Sequence, residues 1–160
     1  MIGTTANQHL RTNDRPSAPL WPDPLNLSGA RVVVVGLGRT GEALAGFLLD
    51  RGARVVVTDV QPLEKLYDRA QPLAERGAGL ELGGHREKTL AEADLIVVSP
   101  GVPLTDGPLQ KARSRGVPLT GEIDLAARFI HSPMVAVGGT NGKTTTTSLI
   151  GEICLSLIHI

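Results

Sequence analysis

The sequence predicts an α/β fold built on a doubly wound parallel sheet. Three observations carry this. Unalternated β-branched runs recur along the chain, as in Arg31-Val-Val-Val-Val-Gly36, Arg54-Val-Val-Val-Thr-Asp59 and Asp94-Leu-Ile-Val-Val98. Such runs suit parallel strands buried on both faces. Segments of helical spacing separate them, which gives the βαβ alternation of a parallel sheet. Glycine-rich motifs fall at the strand ends, where ligands of such sheets bind.

The elements follow in order. After the first strand, Ala43, Leu44, Phe47 and Leu48 keep helical spacing, and Gly52 stops that helix. Arg54 to Asp59 is the second strand. Leu63, Leu66, Ala70 and Leu73 mark a second helix, which Pro72 is expected to kink or restart. Leu80-Glu-Leu82 is a short third strand before Gly83-Gly84, and Asp94 to Val98 is the fourth. A helix over Leu109 and Ala112 ends near Gly116. Val117-Pro-Leu-Thr120 is a fifth strand, expected at an edge because it holds a proline. Ile123, Ala126, Ala127 and Ile130 outline an amphipathic helix. Met134-Val-Ala-Val137 is expected to be a sixth strand, with a helix from Thr144.

Three divisions of the chain are expected: an arm over 1–26, a sheet domain over 27–120, and the start of a second domain over 121–160. The arm is polar and broken by Pro16, Pro19, Pro22 and Pro24. It has no apolar core of a secretory signal, and Trp21 within it is expected to make a bland surface contact. No apolar stretch reaches membrane-spanning length, so the cytoplasm is the expected compartment. The apolar end Cys154-Leu-Ser-Leu-Ile-His-Ile160 lacks a helix stop. We therefore expect a shortened chain, with 154–160 as a foreign tail.

Composition removes several function classes. Sixteen basic residues balance sixteen acidic ones, leaving no excess to hold a nucleic-acid backbone or an anionic membrane. Aromatic residues are 2% of the chain, which argues against a base-stacking platform. One cysteine, Cys154, allows no internal disulfide. His9, His131 and His159 show no zinc-ligand spacing with Cys154. His85 is read as a loop residue.

Gly36-Leu-Gly-Arg-Thr-Gly41 is a G-x-G-x-x-G at a strand-to-helix turn. Glycines there allow a tight turn, close approach to a phosphate and close helix packing. The helix N-terminus offers free N–H groups to an anion, and Thr40 adds a hydroxyl. Asp59 ends the second strand, where an acidic residue commonly accepts ribose or base hydrogens. The motif predicts nucleotide or sugar-nucleotide binding in a Rossmann-like domain, without choosing between them. A purely structural turn with a solvated Asp59 is the other reading.

Gly139-Thr-Asn-Gly-Lys-Thr-Thr145 also sits between an apolar run and a helix. It predicts an ATP phosphate loop, with main-chain N–H groups of 139–145 around the phosphates. Lys143 would neutralise the β- and γ-phosphates, and the Thr144 hydroxyl would ligate Mg²⁺. Val137 stands where the usual pattern has its first glycine. The other reading is a lysine on a solvated helix start. Ser99-Pro-Gly-Val-Pro103 follows the fourth strand, so its backbone can face the ligand of the first motif. Gly121-Glu-Ile-Asp-Leu125 starts a helix, and Glu122 reads equally as a charge on that helix start or as a functional group.

These motifs, in this order over about residues 27–153, resemble the Mur ligases of peptidoglycan synthesis. Gly-Leu-Gly-x-Thr-Gly with Ser-Pro-Gly-Val favours the D-glutamate-adding branch. The resemblance implies a UDP-substrate domain, a central ATPase domain and a third domain receiving the amino acid. It implies that ATP phosphorylates the carboxylate of UDP-N-acetylmuramoyl-L-alanine and that D-glutamate then attacks the acyl phosphate. Carried over, Gly38, Arg39, Thr40, Asp59, Ser99 and Gly101 would line the UDP-sugar pocket. Gly139, Thr140, Asn141, Gly142, Lys143, Thr144 and Thr145 would hold ATP, Lys143 and Thr144 being catalytic and Thr144 also touching Mg²⁺. Gly138 departs from the family's usual Thr, and with Val60-Gln61 after Asp59 polar contacts sometimes made there are expected to be missing. The family's remaining catalytic residues would lie beyond residue 160, so this chain by itself is expected to be inactive. A non-catalytic NAD(H)-binding module and a generic phosphate-loop NTPase are the competing readings. The first has no use for Gly-Lys-Thr, and the second leaves Ser99-Pro-Gly unexplained.

Overall fold

The computed structural model describes residues 26–105 and 107–158. The expectations for the arm, including Trp21, and for the last two tail residues fall outside the described residues. The rest divides into two compact units, with the break between Ile130 and His131.

The first unit carries five parallel strands: β1 (Arg31–Val35), β2 (Arg54–Asp59), β3 (Gly79–Leu82), β4 (Leu95–Val98) and β5 (Leu119–Gly121). Their order in the sheet is β3-β2-β1-β4-β5. Val33 pairs with Val56 on one side and with Ile96 on the other. The chain winds outward from β1 through β2 to β3, then returns to the far side of β1 for β4 and β5. The switch point therefore lies at the carboxyl ends of β1 and β4, the position at which open α/β sheets bind ligands.

Strand side chains alternate between two cores. Val32, Val34, Val55, Val57, Leu95 and Val97 face one side. There they meet α1 (Arg39–Asp50), α2 (Leu63–Glu75) and α5 (Glu122–Ala127). Val33, Val35, Ile96 and Val98 face the other. There Leu90 of α3 (Glu87–Ala91) and Leu109 and Ala112 of α4 (Gly107–Ser114) cover them. Both faces of β1 are thus sealed, which is why the run carries no polar alternation. Full burial of each such valine stabilises the fold by about 1.5–3 kcal/mol.

Expectations for two of the helices are corrected. Pro72 does not restart its helix: α2 runs unbroken across it. The proline removes one hydrogen bond near the C-terminal end of the helix, whereas Leu66, Ala70 and Leu73 all enter the core. The face of α5 differs from the one read from periodicity. Leu125 is the buried residue, while Ile123 is 75% and Ile130 50% exposed. Residues two positions apart on a helix point about 200° apart, so burying Leu125 turns Ile123 outward. Thr120 of β5 pairs with Val97 and Gly121 with Val98, and the first unit continues past β5 through α5. Helix α3 is an addition; five residues are too few to register as a helical period.

In the second unit, α6 (Lys143–Ile158) forms where a helix was expected. Met134–Val137 does not form the sixth strand. A strand needs a hydrogen-bonded neighbour, and the five-strand sheet does not include this segment. Met134 and Val135 remain exposed. Among the described residues, no helix is long and apolar enough to cross a membrane.

Candidate nucleotide-binding site

The turn leaving β1 is held from three sides. The Gly36 N–H donates to the Thr58 carbonyl at 2.8 Å. Gly36 has φ +99°, a conformation a side chain resists, and a Cβ there would lie 3.1 Å from Ser99 Cβ. Gly41 is more constrained: a Cβ would sit 1.9 Å from the Gly36 carbonyl oxygen. The hexad's first and last glycines are therefore fixed by close packing between the turn and the first turn of α1.

Leu37 lies between them, fully buried. Its N–H donates to Asp59 Oδ2 at 2.7 Å. The Gln61 N–H donates to Asp59 Oδ1 at 2.8 Å. Asp59 thus pins the β1 turn to the β2 turn through both carboxylate oxygens. From the β4 side, the Ser99 hydroxyl donates to the Gly36 carbonyl at 3.3 Å. Arg69 of α2 donates to the Leu37 carbonyl at 3.4 Å and lies 3.6 Å from Glu42. Neither the hub role of Leu37 nor the reach of Arg69 has a sequence signal, because both depend on how α2 lies against the turn.

Past Leu37 the turn opens. Gly38 is the N-cap of α1, has no side-chain cap, and has nothing within 4 Å of a Cβ position. Arg39 and Thr40 are exposed on the first helical turn. The first intrahelical bond runs from Glu42 N–H to the Gly38 carbonyl, so the N–H groups just before it point out of the helix start without helical partners. They form a positive end beside the switch point, suited to an anion. All six residues expected for the first site lie at the carboxyl edge of the sheet. Asp59 and Ser99 are joined to the turn by hydrogen bonds, and Gly101 lies in the loop after β4. A cleft of about 790 Å³ beside β5 is lined by Ser99 and Gly101 but not by Gly38, Arg39 or Thr40. His85, expected in a loop, is in one, with Nδ1 2.9 Å from the Thr58 hydroxyl.

The second motif is assembled in the second unit. Its loop leads directly into α6, with Gly142 at φ +77°. The Lys143 amine is exposed and donates to the Gly139 carbonyl at 2.7 Å and the Thr140 carbonyl at 3.4 Å. The amine thus sits against the loop, and Thr144 and Thr145 lie on the first turn of α6.

The Mur ligase MurD-like N-terminal domain model matches residues 30–121. A UDP-N-acetylmuramoylalanine–D-glutamate ligase of Desulfatibacillum aliphaticivorans is 54% identical over 129 residues, covering 81% of this chain and 29% of that protein. The enzyme of the same name from Desulfosudis oleivorans is 52% identical over 130 residues, covering 81% of this chain and 28% of its own length. A pseudomurein peptide ligase type C from Methanothermus fervidus has a similar structure, with TM-score 0.50 and 28% identity over 74% of this chain and 24% of that one. The chain thus spans less than a third of the curated relatives it matches. The matched region runs from just before β1 to the end of β5, holding the whole switch-point turn, and the chain belongs to the Mur ligase family through a MurD-like N-terminal domain.

Proposed function

We propose that this chain supplies the UDP-substrate site, and the beginning of the ATP site, of an ADP-forming ligase. That ligase joins D-glutamate to UDP-N-acetylmuramoyl-L-alanine. The observation that supports this most is the uncapped α1 N-terminus at the β1/β4 switch point, in a domain of this family. The diphosphate would rest on N–H groups of the Gly38–Gly41 turn, with Thr40 donating a hydroxyl and Arg39 adding positive charge. Ser99 and Gly101 would border it from the β4 side. Asp59 acts chiefly by holding Leu37 and Gln61 in place, because its two oxygens already accept their N–H groups.

The residues of the second loop fit ATP. The exposed Lys143 amine, now on two loop carbonyls, would exchange them for phosphate oxygens. Mg²⁺ would rest on the Thr144 hydroxyl and phosphate oxygens, as that ion usually does. It would supply charge neutralisation on the phosphates. In the intact ligase the γ-phosphoryl group passes from ATP to the substrate carboxylate, leaving ADP and an acyl phosphate. The D-glutamate amine then attacks the acyl carbon and phosphate departs. Lys143 would stabilise charge on the phosphoryl group in transit. The reaction's reactants are soluble small molecules, in keeping with a cytoplasmic location. The chain alone is expected to bind the UDP-substrate without turning it over.

Calorimetric titration with UDP-N-acetylmuramoyl-L-alanine tests this. Saturable binding is expected, weakened about tenfold in Thr40→Val by loss of one hydrogen bond to a charged group. Asp59→Asn is expected to weaken it as well, by loosening the turn. Heat with NADH and none with the UDP-substrate would overturn the assignment.

A further inference from the structure

We infer that the outer edge of β5 takes an extended peptide segment, acidic where it meets the amino end of the strand and basic where it meets the carboxyl end. β5 stands last in the sheet order, so its far edge has no strand neighbour among the described residues. Ile96 pairs with Leu119, and its N–H donates to the Pro118 carbonyl at 2.9 Å. That register turns the main-chain groups of Pro118 and Thr120 toward β4 and aims those of Leu119, with the Gly121 N–H, outward. The proline therefore sits on the ladder side and leaves the outer edge open, whereas one position along it would have guarded that edge. The cleft of about 790 Å³ follows this edge, from Gly116 at the amino end to Ser99 and Gly101 at the carboxyl end. Leu104, Val117 and Leu119 give it apolar walls. Extended peptides add as a further strand to an open edge of this kind, drawing affinity from the main chain and specificity from the flanking side chains.

The flanking charges fix the chemistry of that peptide. Arg113, near the C-terminal end of α4, lines the amino end of the cleft, and Asp124, beside Gly121, lines the carboxyl end. Neither forms an ion pair among the described residues. Arg128 also lines the cleft and adjoins Phe129, whose ring lies under Arg51 at the C-terminal end of α1, so it adds positive charge to the amino end. A segment with an acid over Arg113 and a base over Asp124 answers both. The inference rests on the fold of the first unit and not on the UDP-substrate reading.

The probe is acetyl-Asp-Val-Thr-Val-Lys-amide, about the length of an ordinary strand, in an amide NMR titration of the full chain. Saturable binding is expected, with the largest shifts at Leu119 and Gly121. Methylating the nitrogens of the three central residues removes the probe's ladder donors and should weaken it about tenfold or more. The neutral acetyl-Asn-Val-Thr-Val-Gln-amide should bind about two- to threefold more weakly, the worth of exposed ion pairs. Gly121→Pro deletes the outward donor at a φ of −83°, which proline adopts without strain. It should weaken the probe about tenfold and leave the circular dichroism unchanged. Should that variant not fold, the methylated probe on the native chain decides. No saturable shifts at Leu119 and Gly121, equal binding of the methylated or the neutral peptide, or unaltered binding by folded Gly121→Pro would each overturn the inference. None of these results bears on UDP-substrate binding measured separately.

Discussion

The two glycine loops of this chain end in the same way, at the start of a helix, but are held differently. The turn after β1 is anchored by residues far away in sequence. Ser99 reaches Gly36 across 63 positions and Asp59 reaches Leu37 across 22. The loop before α6 is tied locally, through Lys143 to Gly139, four positions apart. Beneath the first turn, all four valines at 32–35 are fully buried. Along α6, Leu149, Ile153, Leu155 and Leu157 are each more than half exposed. A glycine motif thus specifies a conformation, whereas a sheet beneath it and neighbours on both sides make that conformation stable.

Substitution of the glycines should separate the loops most widely. Gly41→Ala drives a methyl group into the Gly36 carbonyl and should cost more than about 3 kcal/mol, enough to threaten the fold of the first unit. Gly142→Ala, whose Cβ meets nothing within 4 Å, should cost only the about 1–2 kcal/mol of a left-handed backbone. Its effect should be confined to amide exchange in 138–146. Urea unfolding followed by circular dichroism, with hydrogen exchange, checks both. Equal losses from the two would erase the contrast.

Core truncation should come next. Leu48→Ala, at a fully buried position of α1, should lower stability by about 2–5 kcal/mol. Leu149→Ala, 59% exposed, should leave the unfolding midpoint unchanged or nearly so.

The smallest effect concerns an exposed pair within the first unit. Lys111, hydrogen-bonded to Glu87, holds the Glu87 carboxyl below its ordinary range, despite an opposing desolvation contribution. The sign follows from linkage. Any stability from this pair is present above the ordinary carboxylate pKa and lost as pH falls through the lowered one. Because the pair is exposed, Glu87→Gln should leave the urea midpoint at neutral pH within error. A clear loss there would show that α3 and α4 depend on this pair more than on Leu90 and Leu109.

Much of this was written in local pattern. The runs at 31–35, 54–59 and 95–98 were readable because strands buried on both faces need no polar alternation. The first glycine hexad and Asp59 were readable because turn chemistry acts over a few residues. The α6 start was readable from Gly-Lys-Thr. Where a segment's fate hinged on a neighbour, pattern failed. Met134–Val137 looks like a strand but has no place in the sheet. The spacing of α5 allowed Ile123 inward, and packing against the sheet chose Leu125.

Local chemistry therefore settled where the doubly buried strands run and which turns start a helix behind glycines, since each depends on residues close in sequence. Three-dimensional packing alone set the reach of Asp59 to Leu37 and the clasp of Ser99 on Gly36. Those outcomes join residues tens of positions apart, and only the order of strands and the tilt of helices against them brings such groups within bonding range.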